Sequence, residues 1–595
     1  MIHKKVQIPM NYTLNQDNAE QLDNGVVATV KKLAPLLKQE KKQLVIGLVA
    51  ILINSAFNLT APLIIGYTID KYIQNKDFNG VLNSAAILLV IYLISLITSY
   101  LQTTIMGGVG QRTIFNLRNT IFLKLQELPI DFFNQNKAGD IISRINNDTS
   151  KLNQFFSQSL NQFVGNIFIM LGSGIFILSI NFGLGMLAIT PALLLLIFNK
   201  TFSPYVKRKN FASLKSMGGL SSEVQEGLNN FKVIVAFNRR DYFRDRFAKQ
   251  NEDNFKKALS AGIANSIFTP LYTFAYNVAQ IAVLYYGIYL IAQGDFTIGF
   301  LISFITYTNR FYDPIRQIAA IWTSFQMAVA GWERIAAIIS LESNLPVSSI
   351  KNISDKDCAL EFKDVCFGYS PEKMVLKHIS FTLERGKTYA LVGPTGGGKT
   401  TTASLMVRLY DPTQGTVFLD GKDIRSYKPE ERTKKIGFIL QDPFLFSGTV
   451  KDNILYGNEN YQDYSHEKLA QIIHDSGLEE LISKFDEGLE TKISINSDSI
   501  SLGQKQIIAF MRAVLRNPQI LILDEATANI DTITEKLLDN ILKKLPDDTI
   551  KVIIAHRLNT IESADKIFFV NSGEITLANS LKEAVEMLTH RQRES

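Results

Sequence analysis

Six apolar stretches in the first half of this 595-residue chain constrain its fold more than any other feature. In order along the chain they cover residues 43–70, 82–106, 158–181, 183–203, 263–292 and 296–323. Each stretch reaches the roughly 20 residues that a helix needs to cross the hydrocarbon core of a bilayer. We therefore predict an α-helical bundle of six membrane spans, surrounded by the lipid bilayer.

The connections between these stretches alternate in length, and positive charge lies on the long ones. The long connections 107–157 and 204–262 are rich in Lys and Arg, whereas the short ones offer only Lys71 and Lys76. Since Lys and Arg accumulate on the cytoplasmic side, we expect a multi-pass protein of the cell (plasma) membrane with cytoplasmic long loops and termini. The net charge of +6 fits this excess, and the chain lacks the dense basic cluster that would favour nucleic acid as a partner.

Polar and charged residues inside the spans leave two interpretations open. The stripe Tyr272–Gln280 could line a substrate cavity, or it could hold the bundle together through hydrogen bonds between helices. Arg310 lies about 20 Å into the last span at a rise of about 1.5 Å per residue. It could face a cavity, or it could pair with Asp313, three residues later.

From Ala359 onward the pattern changes to short apolar strands alternating with amphipathic helices, which predicts an α/β domain. A strand at Lys387–Val392 precedes Gly-Pro-Thr-Gly-Gly-Gly-Lys-Thr and a helical run, Thr401–Tyr410. This matches the phosphate-binding pattern G-x-x-x-x-G-K-[ST] in its strand–loop–helix context. The loop's N–H groups and the helix dipole attract phosphate, so we expect Lys399 to reach the β- and γ-phosphates of ATP and Thr400 to bind Mg²⁺. The residues expected to contact the nucleotide are Gly393, Pro394, Thr395, Gly396, Gly397, Gly398, Lys399, Thr400 and Thr401.

Two further strands deliver candidate catalytic groups. Gln519–Leu523 is followed by Asp524, expected to hold the water shell of Mg²⁺, and by Glu525, expected to polarise the attacking water as a general base. The strand Val552–Ala555 is followed by His556. A lone histidine after a strand is usually structural, but beside a phosphate loop we expect His556 to contact the γ-phosphate.

Together these motifs resemble those of the ATP-binding cassette (ABC) transporter superfamily, and their order is similar to that of bacterial half-transporters of the exporter type. The resemblance covers nearly all of the chain after about residue 35. It implies that Tyr369 stacks on adenine, that Gln441 senses Mg²⁺ and the membrane domain, and that His556 is the switch histidine. It further implies that Asp531, in Ala-Asn-Ile-Asp, belongs to a loop that crosses a dimer interface.

The first long loop also resembles the family pattern. Leu128–Phe133 and Gly139–Arg144 are similar to segments of the loops that carry short coupling helices in the family. The resemblance implies that these coupling helices rest on the ATP-binding domains.

One departure from the family is informative. Ile-Ser-Leu-Gly-Gln, residues 500–504, stands where the family signature is Leu-Ser-Gly-Gly-Gln. In the family this signature contacts the ATP bound by a facing cassette, which implies nucleotide contacts for Ser501, Gly503 and Gln504. Leu502 places a branched side chain where the family has none, so close backbone approach is hindered. This resembles one subunit of heterodimeric exporters with one degenerate ATP site, and a homodimer remains the alternative.

We therefore predict an α-helical six-span transmembrane bundle followed by a cytoplasmic α/β phosphate-loop nucleotide-binding domain. The expected divisions are an N-terminal cytoplasmic segment 1–42, a transmembrane domain 43–325, a helix extension and linker 326–357, and an ATP-binding cassette 358–595. The predicted function is export of amphipathic or hydrophobic drugs or lipids by alternating access, driven by ATP and Mg²⁺ with a second half-transporter. Alternatives are a dedicated lipid flippase or peptide exporter acting as a homodimer, and an ATP-gated channel or non-transporting regulator.

Overall fold

The chain divides into two compact units, which are described separately below. The computed structural model describes residues 12–14, 40–343, 345–348, 353–354, 358–370, 373–458, 464, 466–494, 500–524, 532–554, 561–580, 582–584 and 586–587. The first of the two units, here called the helical unit, comprises Leu14–Gln126 and Ala138–Ser340. The second, here called the α/β unit, comprises Met1–Thr13, Glu127–Lys137 and Leu341–Ser595.

Long helices make up the helical unit. In chain order, and including the short α3 of the other unit, the α-helices are α1 Lys41–Thr68, α2 Phe78–Glu127, α3 Ile130–Gln135, α4 Ala138–Ser143, α5 Thr149–Gln154, α6 Leu160–Ile180, α7 Phe182–Asn229, α8 Phe231–Ala236, α9 Arg240–Ser266, α10 Phe268–Gln293 and α11 Ile298–Ile339. Single π-helical segments occur at Ile69–Ile73, Arg144–Asp148 and Phe155–Ser159.

Among the described residues, five helical segments are long and apolar enough to cross a membrane, and each contains or overlaps one of the first five predicted spans. They are Lys41–Ile73, Phe78–Glu127, Ala138–Ile180, Phe182–Asn229 and Arg240–Gln293. The sixth predicted span lies on α11, which has 42 residues. α11 is not one of these five segments, because Arg310, Asp313 and Arg316 interrupt its apolar run.

Several helices are much longer than the apolar stretches within them. α2 has 50 residues and α7 has 48. At about 1.5 Å per residue each is over about 70 Å long, more than twice the roughly 30 Å hydrocarbon core. The apolar pattern predicted the apolar part of each of these helices, and each helix continues well beyond that part.

Local signals set the turns between the long helices. The Asn181 side chain accepts a hydrogen bond from the Leu184 N–H at 2.9 Å and caps the start of α7. Gly294, in the left-handed region at a φ of +85°, ends α10. The Thr297 hydroxyl then accepts from the Phe300 N–H at 3.3 Å and caps α11. These short connections lie where the sequence predicted them.

Small residues allow α1 and α11 to pack closely. A Cβ added at Gly66 would lie 2.1 Å from the Ser303 Oγ, and one added at Gly299 would lie 2.0 Å from the Gly66 carbonyl oxygen. Close backbone approach of this kind is typical of helix contacts in membranes, where packing rather than water exclusion holds helices together. Phe304 and Tyr307, both fully buried, continue this contact into the core of the unit.

The charged residues of α11 do not pair as their spacing suggested. Arg310 donates through Nη1 to the Asn58 carbonyl of α1. Asp313 instead accepts from Arg316 at 3.0 Å and from Gln317 at 3.3 Å. The proposed Arg310–Asp313 pair is therefore wrong, because a carbonyl on a neighbouring helix takes the guanidinium.

The stripe Tyr272–Gln280 serves helix packing at its first residue. Tyr272 is buried and packs in a cluster with Ala192 and Leu195 of α7. Its hydroxyl accepts a hydrogen bond from the Asn199 Nδ2 at 2.5 Å. For Tyr272 the interpretation as a hydrogen bond between helices fits better than the cavity interpretation.

The described part of the α/β unit contains three sheets. Its strands are β1 Leu360–Phe367, β2 Leu376–Leu383, β3 Thr388–Val392, β4 Gln414–Leu419, β5 Lys422–Asp423, β6 Ile436–Ile439, β7 Gly448–Thr449, β8 Lys492–Ile493, β9 Ile520–Asp524, β10 Ile550–Ile554, β11 Lys566–Asn571 and β12 Glu574–Ala578. A six-stranded sheet has the order β12-β11-β3-β10-β9-β6, an antiparallel sheet has the order β2-β1-β4-β5, and β7 pairs with β8.

Helices accompany these sheets in the α/β unit. They are α12 Lys399–Met406, α13 Pro429–Lys435, α14 Val450–Ile454, α15 His466–Asp475, α16 Glu479–Ile482, α17 Leu502–Val514 and α18 Thr532–Lys543, with 3₁₀ turns at Ile424–Ser426 and Gly488–Glu490. The helix predicted at Thr401–Tyr410 is α12, which begins two residues earlier, at Lys399, and ends at Met406.

The strands of the six-stranded sheet follow from their composition. β9 is buried at all five positions, as expected for a strand covered on both faces, and it runs parallel to β10 and β6. β3 runs parallel to β10 and β11, so only the edge strand β12 is antiparallel. The predicted fold class, a helical membrane bundle followed by an α/β phosphate-loop domain, is confirmed.

Candidate functional site

Three sequence motifs of the described residues lie at one edge of the six-stranded sheet, because they follow or end parallel strands of that sheet. β3 runs into Gly393, β9 ends at Asp524, and β6 ends two residues before Gln441. Ile554, at the end of β10, pairs with Leu391 on one side and with Asp524 on the other. The phosphate loop and Asp524 therefore follow strands about 10 Å apart, which is two strand spacings.

The loop after β3 requires glycine at its two ends. Gly393 has a φ of +147°, and a Cβ there would lie 2.0 Å from the Val570 carbonyl oxygen. Gly398 has a φ of +115°, and a Cβ there would lie 2.8 Å from the Leu376 Cδ2. Side chains at these positions would be both strained and crowded. The loop can thus present its backbone to a ligand at close range, as phosphate binding demands.

Lys399 closes the loop at the start of α12. Its Nζ donates to the carbonyl oxygens of Gly393 at 2.9 Å and Pro394 at 3.1 Å, and the residue is buried. The ammonium therefore lies across the loop, close to the positive end of the α12 dipole. Phosphate oxygens placed there would meet a fixed cation and backbone N–H groups together.

The donors at this edge fit Mg²⁺. Thr400 is exposed in the first turn of α12, Asp524 is buried at the end of β9, and α12 lies against β9. Among the described residues no group of three or more His, Cys, Asp or Glu side chains is gathered. Mg²⁺ is commonly bound through one or two carboxylates together with substrate phosphates and water, so a full protein cage is not required.

Tyr369 stands beside the phosphate loop, although 32 residues separate it from Thr401. The two hydroxyl oxygens are 3.1 Å apart, and the residue remains 43% exposed. Phe367 and Tyr410 contact the Tyr369 ring edge to face, with centroids 5.0 and 5.3 Å away. This arrangement holds the ring upright next to the loop, where a nucleobase could stack on it.

Tyr410 is a site residue that the sequence did not reveal. It is buried, and its hydroxyl accepts a hydrogen bond from the Asn134 Nδ2 of α3 at 2.8 Å. Burial, reinforced by the nearby Tyr369 and Asp131, raises the pKa of Tyr410 to about 12. No local sequence signal marks this contact, because Asn134 is 276 residues away in the sequence.

The segment that replaces the family signature starts α17. The Ser501 Oγ accepts from the Gln504 N–H at 3.2 Å, and the Gln504 Oε1 accepts from the Ser501 N–H at 2.9 Å, which together form a capping box. Gln504 also donates to the Lys484 carbonyl at 3.0 Å. These side chains are therefore engaged locally, and the first N–H groups of the helix, those of Leu502 and Gly503, lack acceptors within the helix.

Leu502 leans toward the open end of this helix. It is 43% exposed at the first helical position. Because Cα–Cβ bonds tilt toward the helix N-terminus, its side chain lies on the side from which an anion would approach. The steric hindrance expected from the sequence is consistent with this geometry.

Three of the predicted site residues follow β9 and β10 in the sequence, and the structure describes the remaining ones. Glu525, Asp531 and His556 lie outside the described residues, and their roles stay predictions. Gln441 is described and exposed, two residues beyond β6. The structure therefore brings the phosphate loop, Tyr369, Asp524 and the Gln441 segment to one region.

Comparison with known proteins matches both units. Residues 44–315 match the family model described as the ABC transporter transmembrane region, and residues 376–528 match the model described as ABC transporter. The chain is 32% identical over 565 residues to the uncharacterized ABC transporter ATP-binding protein YfiC of Bacillus subtilis (strain 168), covering 94% of this chain and 92% of that protein.

Two further relatives carry more specific names. The fatty acid ABC transporter ATP-binding/permease protein of Mycobacterium tuberculosis (strain CDC 1551 / Oshkosh) is 31% identical over 504 residues, covering 84% of this chain and 79% of that protein. The multidrug resistance ABC transporter ATP-binding and permease protein of Lactococcus lactis subsp. lactis (strain IL1403) is 28% identical over 574 residues, covering 96% of each chain. The similarity thus runs through the membrane and nucleotide-binding parts in one continuous order.

Proposed function

This chain belongs to the ABC transporter family, and from that premise we propose that it is one half of an exporter that moves amphipathic or hydrophobic molecules. It is a multi-pass membrane protein that couples ATP hydrolysis to transport. One observation carries the proposal: a glycine-dependent phosphate loop closed by Lys399 follows, in the same chain, a unit whose described part has five helical segments long and apolar enough to span a membrane. The relatives named for fatty acids and for multidrug resistance support lipids or drugs as the substrate class.

In the proposed ATP site, the chain's own groups bind and orient the nucleotide. Lys399 and the loop N–H groups would hold the β- and γ-phosphates, while Tyr369 would stack on the adenine. Thr400 and Asp524 would hold Mg²⁺, which neutralises phosphate charge when bound. Glu525 would polarise the attacking water. His556 would contact the γ-phosphate, and Gln441 would sense Mg²⁺.

A second cassette is proposed because the helical unit presents an uncovered apolar helix. In and beside α8, Phe231 is 55% exposed, Val233 is 55% exposed and Phe237 is 75% exposed, and Ile234 is buried. In the family, short helices of the long loops rest on ATP-binding domains. The exposed residues lie in the second long loop, so a partner half-transporter would cover them.

We propose further that the partner is a different chain. Leu502 lies where the facing ATP would approach α17, which would weaken the site that this segment completes. The site formed by this chain's Lys399 and Glu525 with the partner's signature would then carry hydrolysis. ATP binding would favour the closed pair, and hydrolysis would reset it, giving alternating access. A homodimer that tolerates Leu502 is the competing assembly.

The test is Mg²⁺-dependent ATP hydrolysis by the chain alone in lipid nanodiscs, with Glu525→Gln as its matched control. The heterodimer proposal predicts negligible turnover from a well-folded sample, restored by co-expression with a neighbouring half-transporter. Vigorous turnover that Glu525→Gln abolishes would show that two copies suffice. Transport is tested with the active assembly in inside-out vesicles, and absence of ATP-dependent lipid or drug uptake would overturn the exporter proposal.

A further inference from the structure

A short helix from the first long loop is connected to the nucleotide site by side-chain contacts within the α/β unit. α3, Ile130–Gln135, belongs to the same compact unit as Leu341–Ser595. The Asn134 Nδ2 donates to the Tyr410 hydroxyl at 2.8 Å, and the Tyr410 ring meets the Tyr369 ring at 5.3 Å. The Tyr369 hydroxyl in turn lies 3.1 Å from the Thr401 Oγ1, at the start of α12.

Burial makes this connection specific. Tyr410 is 9% exposed, so its ring is packed and its hydroxyl depends on the protein for hydrogen bonding. Phe132 is fully buried and Asp131 is 8% exposed, which anchors α3 in the unit. Tyr369 keeps the larger exposure, as a ring that must receive a base requires. The buried Tyr410 therefore contacts Tyr369, and Tyr369 is the ring in this series of contacts that stays accessible to a base.

We infer that Asn134 and Tyr410 are positioning residues that hold Tyr369 ready for the adenine of ATP. The inference rests on the proposed role of Tyr369. Asn134 fixes the Tyr410 hydroxyl, and Tyr410 limits the rotation of the Tyr369 ring. ATP then binds a ring that is already ordered, so less conformational freedom is lost on binding.

The same contacts act in the reverse direction. If the Asn134–Tyr410 bond favours ATP binding, then bound ATP favours that bond by the same factor, because coupling between two equilibria is reciprocal. Nucleotide binding therefore steadies α3. This gives the adenine side of the site an influence on α3 within the α/β unit.

The experiment measures equilibrium binding of ATP and Mg²⁺ to the full-length chain by isothermal titration calorimetry, in a Glu525→Gln background that prevents turnover. Tyr410→Phe removes one hydroxyl and keeps the ring, and Asn134→Ala removes its donor. Each is expected to weaken ATP binding about two- to tenfold, the range for ordering one side chain. The double variant is expected to bind no more weakly than either single variant, since both remove the same interaction.

A matched control lies in the same unit. Tyr427 is also buried, and its hydroxyl donates to the Leu419 carbonyl at 2.9 Å. Tyr427→Phe therefore removes a comparable hydrogen bond that has no contact with Tyr369, and ATP affinity is expected to stay unchanged. Equal weakening in Tyr427→Phe would assign the effect to general loosening of the unit and overturn the inference.

Hydrogen exchange supplies a second readout. If Tyr410 only stabilised the fold, Tyr410→Phe would not change the effect of ATP on exchange in α3. ATP is expected to slow exchange at 130–135 in the parent chain and to have little effect there in Tyr410→Phe. If Tyr369→Ala weakens binding while Tyr410→Phe and Asn134→Ala bind as the parent does, the inference is overturned. These readouts need no partner chain, and they use a Glu525→Gln background in which turnover is expected to be absent. If Tyr369→Ala leaves ATP binding unchanged, the proposed role of Tyr369 fails, which is a different outcome from failure of the Asn134–Tyr410 inference.

Discussion

At the scale of single residues, replacing Leu502 is the most direct test of the proposed weakened ATP site. Leu502 is the first residue of α17, where the proposed facing ATP would meet the helix N–H groups. A hydrogen bond to a charged group is worth about 1.5–3 kcal/mol, and about 1.4 kcal/mol corresponds to tenfold in rate. Leu502→Gly is therefore expected to raise ATP hydrolysis by the chain alone at least about tenfold.

Leu502→Ala is the graded control for this prediction, because it keeps a Cβ and removes the branched part. Its turnover is expected to lie between those of the parent and Leu502→Gly. The measurement is steady-state ATPase activity in nanodiscs at saturating ATP. Unchanged turnover in a folded Leu502→Gly sample would mean that this side chain does not limit the site.

Residues also differ in how far the sequence could predict them. Gly393 could be predicted, because the phosphate-loop pattern directly encodes a need for positive φ. The partner of Arg310 could not be, because helical spacing pointed to Asp313 while the actual acceptor is the Asn58 carbonyl, 252 residues away. Contacts such as Asn134–Tyr410 leave no periodic or local signal, so only the folded chain reveals them.

At the scale of elements, an N-terminal segment fastens α3 from a second side. Tyr12 is fully buried, and its N–H donates to the Gln135 Oε1 at 2.8 Å. Its carbonyl accepts from the Asn136 Nδ2 at 3.0 Å, and its hydroxyl donates to the Glu342 carbonyl at 3.0 Å. The sequence did not indicate this role for Tyr12, because a single aromatic residue forms no periodic pattern.

This contact predicts graded effects on α3. Tyr12→Phe removes one hydrogen bond, worth about 1 kcal/mol, while Tyr12→Ala also removes a buried ring, worth about 3–5 kcal/mol. Hydrogen exchange at 130–135 is expected to quicken slightly in the first variant and strongly in the second. Thr13→Ser serves as the control, because it keeps the hydroxyl that donates to the Gln135 Oε1 at 3.4 Å. Identical exchange in all four proteins would show that Tyr12 does not hold the helix.

Asp131 gives α3 a predicted pH dependence. Burial raises the pKa of Asp131, although a hydrogen bond from Gln135 opposes this. A raised folded-state pKa means that the stabilising contribution is complete below the unfolded-state pKa and is lost as pH rises through the folded-state value. Asp131→Asn is therefore expected to gain thermal stability relative to the parent as pH rises from about 4, the ordinary Asp value, to about 7.

The measurement is the apparent Tm of both proteins across that pH range. A widening gap in favour of Asp131→Asn is the expected result. The amide keeps an oxygen that can accept the Gln135 hydrogen bond, so packing is nearly preserved. A gap that does not change with pH would show that the carboxyl titrates as it does in the unfolded chain.

At the scale of the whole molecule, the sequence predicted domain order better than extent. Hydropathy located the membrane-crossing parts of the helices, because the bilayer imposes a fixed apolar length. It did not predict that α2 and α7 continue for 50 and 48 residues, since the aqueous parts have no such constraint. Hydropathy and spacing alone did not indicate that Glu127–Lys137 would join the α/β unit, which depends on contacts distant in sequence. The family resemblance of Leu128–Phe133 did indicate it, because it implied a coupling helix that rests on an ATP-binding domain.

The orientation of the chain in the membrane is the remaining prediction at this scale. Positive charge on the long connections predicts that they are cytoplasmic and that the short connection at Gln74 faces outward. Ser221 lies about 60 Å along α7 from Phe182, at about 1.5 Å per residue, so it stands well beyond a hydrocarbon core of about 30 Å. Both Gln74 and Ser221 are exposed and can carry a reporter thiol.

Single Gln74→Cys and Ser221→Cys variants, in a background with Cys358→Ser and Cys366→Ala, allow this orientation to be measured. A membrane-impermeant maleimide applied to intact cells is expected to label the Gln74→Cys variant and to leave the Ser221→Cys variant unlabelled. Permeabilised cells are expected to label both, which shows that each thiol is reachable. Labelling of the Ser221→Cys variant in intact cells would place the long loops outside. A chain oriented in that way could not draw on cytoplasmic ATP, so this outcome would also contradict the proposed mechanism of export.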